Sequence, residues 1–138
     1  MDCKLIVSIM LFDGGQTLLV KYKAGPDNQT GWFLPNDLLK QYENPEKAAV
    51  RIISEQLSWA KLLPRFSHFE SFKGQDASWH LVIHFTAQVE EGASITAGES
   101  VREARWFELD HLPDRDGVSH HGWALQVISK CLERLPRS

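Results

Sequence analysis

The sequence predicts an α+β fold: an α/β/α sandwich in which a mixed β-sheet is flanked by helices, in one domain over residues 1–138. Three observations carry that reading. Strand-like segments stand on both sides of one well-capped helix. A second amphipathic helix closes the sequence. A chain of 138 residues is long enough for one real core and short for two.

The elements follow in order. Lys4–Phe12 is apolar and β-branched, which suits a buried strand, and Asp13-Gly14-Gly15-Gln16 is a tight-turn signal. Thr17–Lys23 is then the returning strand of a hairpin. Ala24–Thr30 carries Gly, Pro, Asp and Asn, as a loop does. Trp32–Leu34 is a short strand stopped by Pro35. Asn44 suits an N-cap, Pro45 the first helical position, and Glu46 the positive end of the helix dipole. Ala48, Ala49, Ile52, Ile53 and Leu57 recur at helical spacing, so the helix extends to about Ser58. Strands over Phe66–Lys73 and Ser78–Val89 flank Gly74-Gln75-Asp76. In the second, Trp79, Leu81, Ile83, Phe85 and Ala87 alternate with Ser78, His80, Val82, His84 and Thr86. Glu103–Phe107 is another strand, Asp114–Ser119 a loop, and Gly122–Leu135 the closing helix.

Composition excludes several classes. Net charge is −3, so no broad basic surface attracts nucleic acid or an anionic membrane. The apolar run Leu5–Phe12 is too short to span a bilayer. Cys3 and Cys131 lie near opposite ends and form no ligand cluster, which points to a reduced, cytoplasmic protein; a terminal disulfide is the minor alternative.

The stretch from Gly31 to Trp59 carries the chemistry. Mg²⁺ prefers oxygen ligands and shares them with phosphates, and one helix can supply several from positions i, i+3 and i+4. Here that set is Ile52, Glu55 and Gln56, with Glu43 before it and Arg51 beside it. The arrangement resembles the box of the Nudix hydrolase family, G-x5-E-x7-R-E-U-x-E-E-x-G-U, where U is bulky and apolar. Laid on this chain the box runs from Asp37 to Trp59. Glu43, Arg51, Ile53, Glu55 and Trp59 fit. Asp37 and Ser58 replace glycines, and Ile52 and Gln56 replace glutamates. The hairpin before it, Gly31–Pro35, and the Arg105–Pro113 segment resemble the rest of the family pattern, so the likeness covers nearly the whole chain.

The resemblance implies a Nudix-like fold and a site that cleaves nucleoside diphosphates linked to another moiety, using divalent cations held by the box glutamates. In this degenerate box only Glu55 remains of three helix carboxylates, with Gln56 at a substituted ligand position. Losing two charges should weaken a Mg²⁺ or Mn²⁺ site severely, or abolish it. Glu43 and Arg51 in the family tie the loop to the helix. Asp37 stands where a Cβ restricts a backbone path that glycine leaves open. A further acidic ligand is sought among Glu90, Glu91, Glu99 and Glu103, with Glu99 preferred. Trp32 is a candidate for stacking on a base; Trp79 and Trp106 are expected in the core. His80 and His84 are too far apart along one strand to share a metal ion, and His120-His121 suits a surface feature.

Three functions are consistent with these residues. One is a Nudix-fold protein with lost or reduced hydrolase activity, binding a nucleotide-like small molecule or a protein partner. A second is an active divergent hydrolase that rebuilds a cation site from Glu55 with Asp37 or Glu99. A third is an assembly or RNA-linked module, against which the net charge of −3 argues. No membrane partner is expected, and a homodimer is compatible with each.

Overall fold

A computed structural model of the chain describes residues 2–24, 30–74, 76–90 and 93–135. Six strands form one mixed sheet: β1 (Cys3–Asp13), β2 (Gln16–Tyr22), β3 (Asn36–Leu38), β4 (Arg65–Lys73), β5 (Trp79–Gln88) and β6 (Val101–Glu108). Helices α1 (Pro45–Leu57) and α2 (Ser119–Arg134) pack on its opposite faces. The α/β/α sandwich read from the sequence is the observed architecture.

The strand order is β4-β5-β1-β2-β6, with β3 paired to β1 off that path. β1 runs parallel to β5 from Cys3 to Phe12 and antiparallel to β2 only at the hairpin end, Phe12 with Thr17 and Asp13 with Gln16. Beyond that end β1 and β2 part, which leaves backbone groups of both in need of partners. The segment 33–38 fills the gap. Phe33 exchanges two hydrogen bonds with Val20 of β2, and the Pro35 carbonyl accepts from Ile9 N–H at 2.9 Å. Asn36, Asp37 and Leu38 then pair with Ser8, Val7 and Ile6 of β1.

This changes two expectations. Trp32 and Phe33 form isolated bridges rather than a strand, and the strand lies beyond Pro35. Proline lacks only the N–H, so it ends one pairing and its carbonyl begins the next. Asn36 and Asp37 are extended residues of β3 and neither has positive φ, so the Cβ of Asp37 meets no left-handed backbone there.

Helix α1 starts as its sequence demands. Asn44 Oδ1 accepts from Glu46 N–H at 2.9 Å, and Pro45 takes the first turn. Ala48, Ala49, Ile52, Ile53 and Leu57 are fully buried against β1, β2 and β5. Each large aliphatic side chain so buried contributes about 1.5–3 kcal/mol. On the other face of the sheet, Met10, Leu19 and Leu34 are buried against Val127, Ile128 and Cys131 of α2. Burial on both faces explains why the polar side of β5, His80, His84 and Thr86, is also inside. Trp79 breaks the expected core pattern: it is 44% exposed at the strand end, its indole N–H donating to Ser71. Trp106 is only partly buried, against the α1-side core. Both cysteines are free thiols, and among the described residues no helix is long and apolar enough to cross a membrane.

The segment Arg115–Gly117, expected as loop, is a 3-10 turn. Within α2, His120, His121 and Gly122 are left-handed, so the regular helix begins only after them.

Helix α1 closes on Ser58, whose φ of 57° lies in the left-handed region that favours glycine. Ser58→Gly should stabilise the fold by about 0.5–1 kcal/mol, because relief of the Cβ clash exceeds the added chain entropy. A urea midpoint that fails to rise would refute this.

Candidate functional site

Arg51 holds the box loop to the helix. Its Nε and one terminal nitrogen donate to the two carboxylate oxygens of Glu43 at 2.8 and 3.0 Å, a bidentate pair. The same terminal nitrogen donates to the Leu38 carbonyl at 3.0 Å. The other approaches Glu55 at 3.5 Å and Asp37 at 3.9 Å. One guanidinium thus gathers three carboxylates and the end of β3. Its hydrogen bond holds the Glu43 carboxyl below the ordinary carboxylate range, and Glu43 in turn raises Arg51.

Gln56 sits deeper, 5% exposed. Its Nε2 donates to the Asn36 carbonyl at 2.9 Å, and its Oε1 accepts from the Tyr22 hydroxyl at 2.8 Å. Tyr22 in turn accepts from Asn36 N–H at 2.9 Å. Burial pushes the Tyr22 phenol far up, so it stays a neutral donor. Both ends of the amide are committed. A glutamate in this pose would turn an oxygen toward the Asn36 carbonyl in place of a donor. Ile52 is fully buried among Ala48, Ala49 and Leu57.

The remaining predicted residues are placed as follows. Glu55 is exposed and faces Arg51. Asp37 is half exposed and caps its neighbour, Oδ1 accepting from Leu38 N–H at 2.8 Å. Glu99 is exposed in the turn before β6, and its loop is docked on the end of α1: Gly98 N–H donates to the Gln56 carbonyl at 2.7 Å and Thr96 N–H to that of Leu57 at 3.0 Å. A Cβ on Gly98 would lie 2.2 Å from the Glu55 carbonyl, so only glycine permits that approach. Glu90 is exposed; Glu91 lies outside the described residues. Trp32 is 6% exposed, edge-on to Phe107 at 5.0 Å with Lys21 4.6 Å from its ring centroid, and packs with the α2-side core.

A cavity of about 610 Å³ opens beside this network. That volume falls within the range of small-molecule sites. Tyr22, Asn36, Asp37 and Gln56 line one end; Glu70, Phe72, His80 and Trp123 line another, with His120 and His121 also on its wall. Trp32 is not among the lining residues. The last six were not singled out together by the sequence, because they come from β4, β5 and α2 and meet only through strand pairing. The left-handed backbone at His120 and His121 turns what looked like a surface pair onto the cavity wall.

A model of the NUDIX domain matches residues 4–126. The chain belongs to the Nudix family. No curated relative matches at the sequence level. Among solved structures, this Nudix chain is similar to a MutT NUDIX hydrolase from Burkholderia pseudomallei, at 22% identity and TM-score 0.79, covering 99% of this chain and 100% of that one. It is also similar to the NUDIX domain of Shewanella oneidensis NrtR, solved with ADP ribose, at 21% identity and TM-score 0.80, covering 99% and 90%. An Ap4A hydrolase from C. elegans matches at 15% identity and TM-score 0.70, covering 96% and 99%. At these identities the structures establish a shared fold.

Nudix enzymes generally use divalent cations. The donors present here do not fit one at the box. Among the described residues, the only three His, Cys, Asp or Glu side chains with ligand atoms within 4.8 Å of one another are Glu108, Asp110 and His111, all exposed on the turn after β6. They are not among the cavity residues. At the box, Glu55 already faces a cation in Arg51.

Glu43→Gln should cost about 1–2 kcal/mol at pH 7, from the lost charge-assisted bonds to Arg51. Because the folded-state pKa of Glu43 is lowered, its contribution is complete above the unfolded value and lost as pH falls through the folded one. The gap between wild type and variant in denaturant titrations should therefore narrow as pH falls below about 4.5. A gap that widened on acidification would contradict the pairing.

Proposed function

We propose that this Nudix-fold chain binds a nucleoside-diphosphate-type ligand in its cavity, with diphosphate hydrolysis lost or strongly reduced. The observation that carries the reading is the commitment of Gln56. Its oxygen already accepts from Tyr22 and its amide nitrogen donates to Asn36, so a cation would meet a neutral, hydrogen-bonded oxygen in place of a carboxylate. Ile52 contributes only apolar packing. A site with one exposed glutamate, already near a guanidinium, cannot offset the dehydration of Mg²⁺.

The cavity supports retained binding. It has the volume of a nucleotide site, aromatic walls and a few convergent polar groups. The similar NrtR domain was solved with ADP ribose. The two free thiols support a cytoplasmic location.

A second reading, an active divergent hydrolase, is favoured by one feature. Asp37 and Glu55 share Arg51, and the Gly98 contact brings the Glu99 loop onto the same helix end. A cation would then have to displace the guanidinium.

Titration calorimetry with ADP-ribose and ADP, paired with product analysis, separates the two. Binding should occur without Mg²⁺ or Mn²⁺, and turnover with either ion should stay below about 10⁻³ s⁻¹, against about 10 s⁻¹ for a typical enzyme. Metal-dependent turnover at ordinary rates would overturn the first reading. The double variant Ile52→Glu, Gln56→Glu should lose about 3 kcal/mol or more of stability, since one carboxylate enters an apolar core and the other faces a carbonyl. An unchanged unfolding midpoint would show that the scaffold still accommodates metal ligands.

A further inference from the structure

The wall of the cavity away from the box carries a carboxylate with an unusual set of supports. Glu70 on β4 accepts two hydrogen bonds on one oxygen, from His84 Nε2 at 2.9 Å and from the Trp123 indole N–H at 3.0 Å. His84 is fully buried, and its Nδ1 is 2.9 Å from the Ser8 hydroxyl. His68 stacks on the His84 ring with centroids 4.5 Å apart. The imidazole is therefore fixed by its neighbours, and it fixes Glu70. The indole fixes it from the α2 side.

Ser8, His84 and Glu70 line up in the order of a hydrolytic triad. They are not one, because Ser8 is 1% exposed within the central strand and no substrate carbonyl can reach it. The arrangement instead presents an oriented anion to the cavity. A carboxylate has about four lone-pair sites, and only two are used by the described residues, both on Oε1. Oε2 accepts nothing from them. Burial alone would push the Glu70 carboxyl up, but the His84 and Trp123 donors outweigh it and keep the group ionised.

We infer that Glu70 is a specificity-determining residue that anchors the hydrogen-bond-donating, non-phosphate end of the ligand, against the aromatic surfaces of Phe72, His80 and Trp123. The inference rests on the nucleotide-binding reading above and adds an orientation to it. An anion held this firmly repels phosphate, so the phosphates lie away from Glu70. It rewards a ligand that offers N–H or O–H groups, and two sources in a nucleotide do so: the ribose diol and an exocyclic amino group. A carboxylate already held in orientation discriminates against a ligand lacking the donor, because that ligand displaces water from the free oxygen without replacing its hydrogen bonds.

The test uses the full chain, ADP and two analogues: 2′,3′-dideoxy-ADP, which lacks the diol, and purine riboside 5′-diphosphate, which lacks the amino group. Wild type should bind ADP at least about tenfold more tightly than one of the two, and which one identifies the source. Glu70→Gln keeps an acceptor for His84 and Trp123 but loses the charge; it should fold normally, weaken ADP binding about tenfold or more, and bind ADP and the discriminated analogue alike. Equal affinity of wild type for all three, or unchanged affinity and selectivity in Glu70→Gln, would overturn the inference while leaving nucleotide binding intact. Absence of ADP binding by wild type would remove both. If Glu70→Gln unfolds, Trp123→Phe supplies the second arm, since freeing Oε1 from the indole should alter selectivity between ADP and the analogue; no change there would also count against the inference.

Discussion

The structure depends on the parting of β1 and β2. Two strands that separate inside a sheet expose backbone donors and acceptors that must be paired. The segment 33–38 answers that need with hydrogen bonds to Val20, Ile9 and the β1 edge. Its path then dictates where everything else lies. Asn36 arrives beside Tyr22 and Gln56, Leu38 beneath Arg51, and the cavity opens at the point of separation. Helix α1 is held across the gap by apolar packing from one side and by the Arg51–Glu43 pair from the other.

Within that frame, the charge pattern has been rebuilt rather than simply lost. Where the family box has a glutamate, Gln56 provides a donor for a carbonyl and an acceptor for a phenol, and a neutral buried network closes with its donors and acceptors matched. Where it has another, Ile52 extends the apolar face of α1. The one remaining helix carboxylate, Glu55, stands beside Arg51. The substitutions are mutually consistent: without a counter-ion, an amide and an aliphatic side chain at these buried positions cost less than two carboxylates.

Much of this was legible in the sequence. The hairpin, the Asn44-Pro45 helix start, the inner face of α1 and the closing helix all rest on local signals: turn residues, caps and periodicity. Glu43 and Arg51 were legible through their spacing in the box. The place of Glu70 was not, because nothing local distinguishes a glutamate in Phe69-Glu70-Ser71 from a solvated one. Its meaning comes from β5 and α2, which bring His84 and Trp123 to it across 14 and 53 residues. Trp32 shows the converse. Its sequence position beside the box suggested a ligand platform, yet Phe107 and the α2-side core cover it. Trp79, expected inside, stands exposed at the end of β5.

Family, layered architecture and the loss of two box carboxylates can all be read from residue order alone. Those are properties of residue identity and spacing, which local propensity and periodicity expose. What the replacements do follows from packing. That Gln56 is spent on Tyr22 and Asn36, and that Glu70 is oriented by His84 and Trp123, depends on which strands and helices adjoin. Hydrogen bonds between residues 14 to 53 positions apart leave no periodic trace in a sequence.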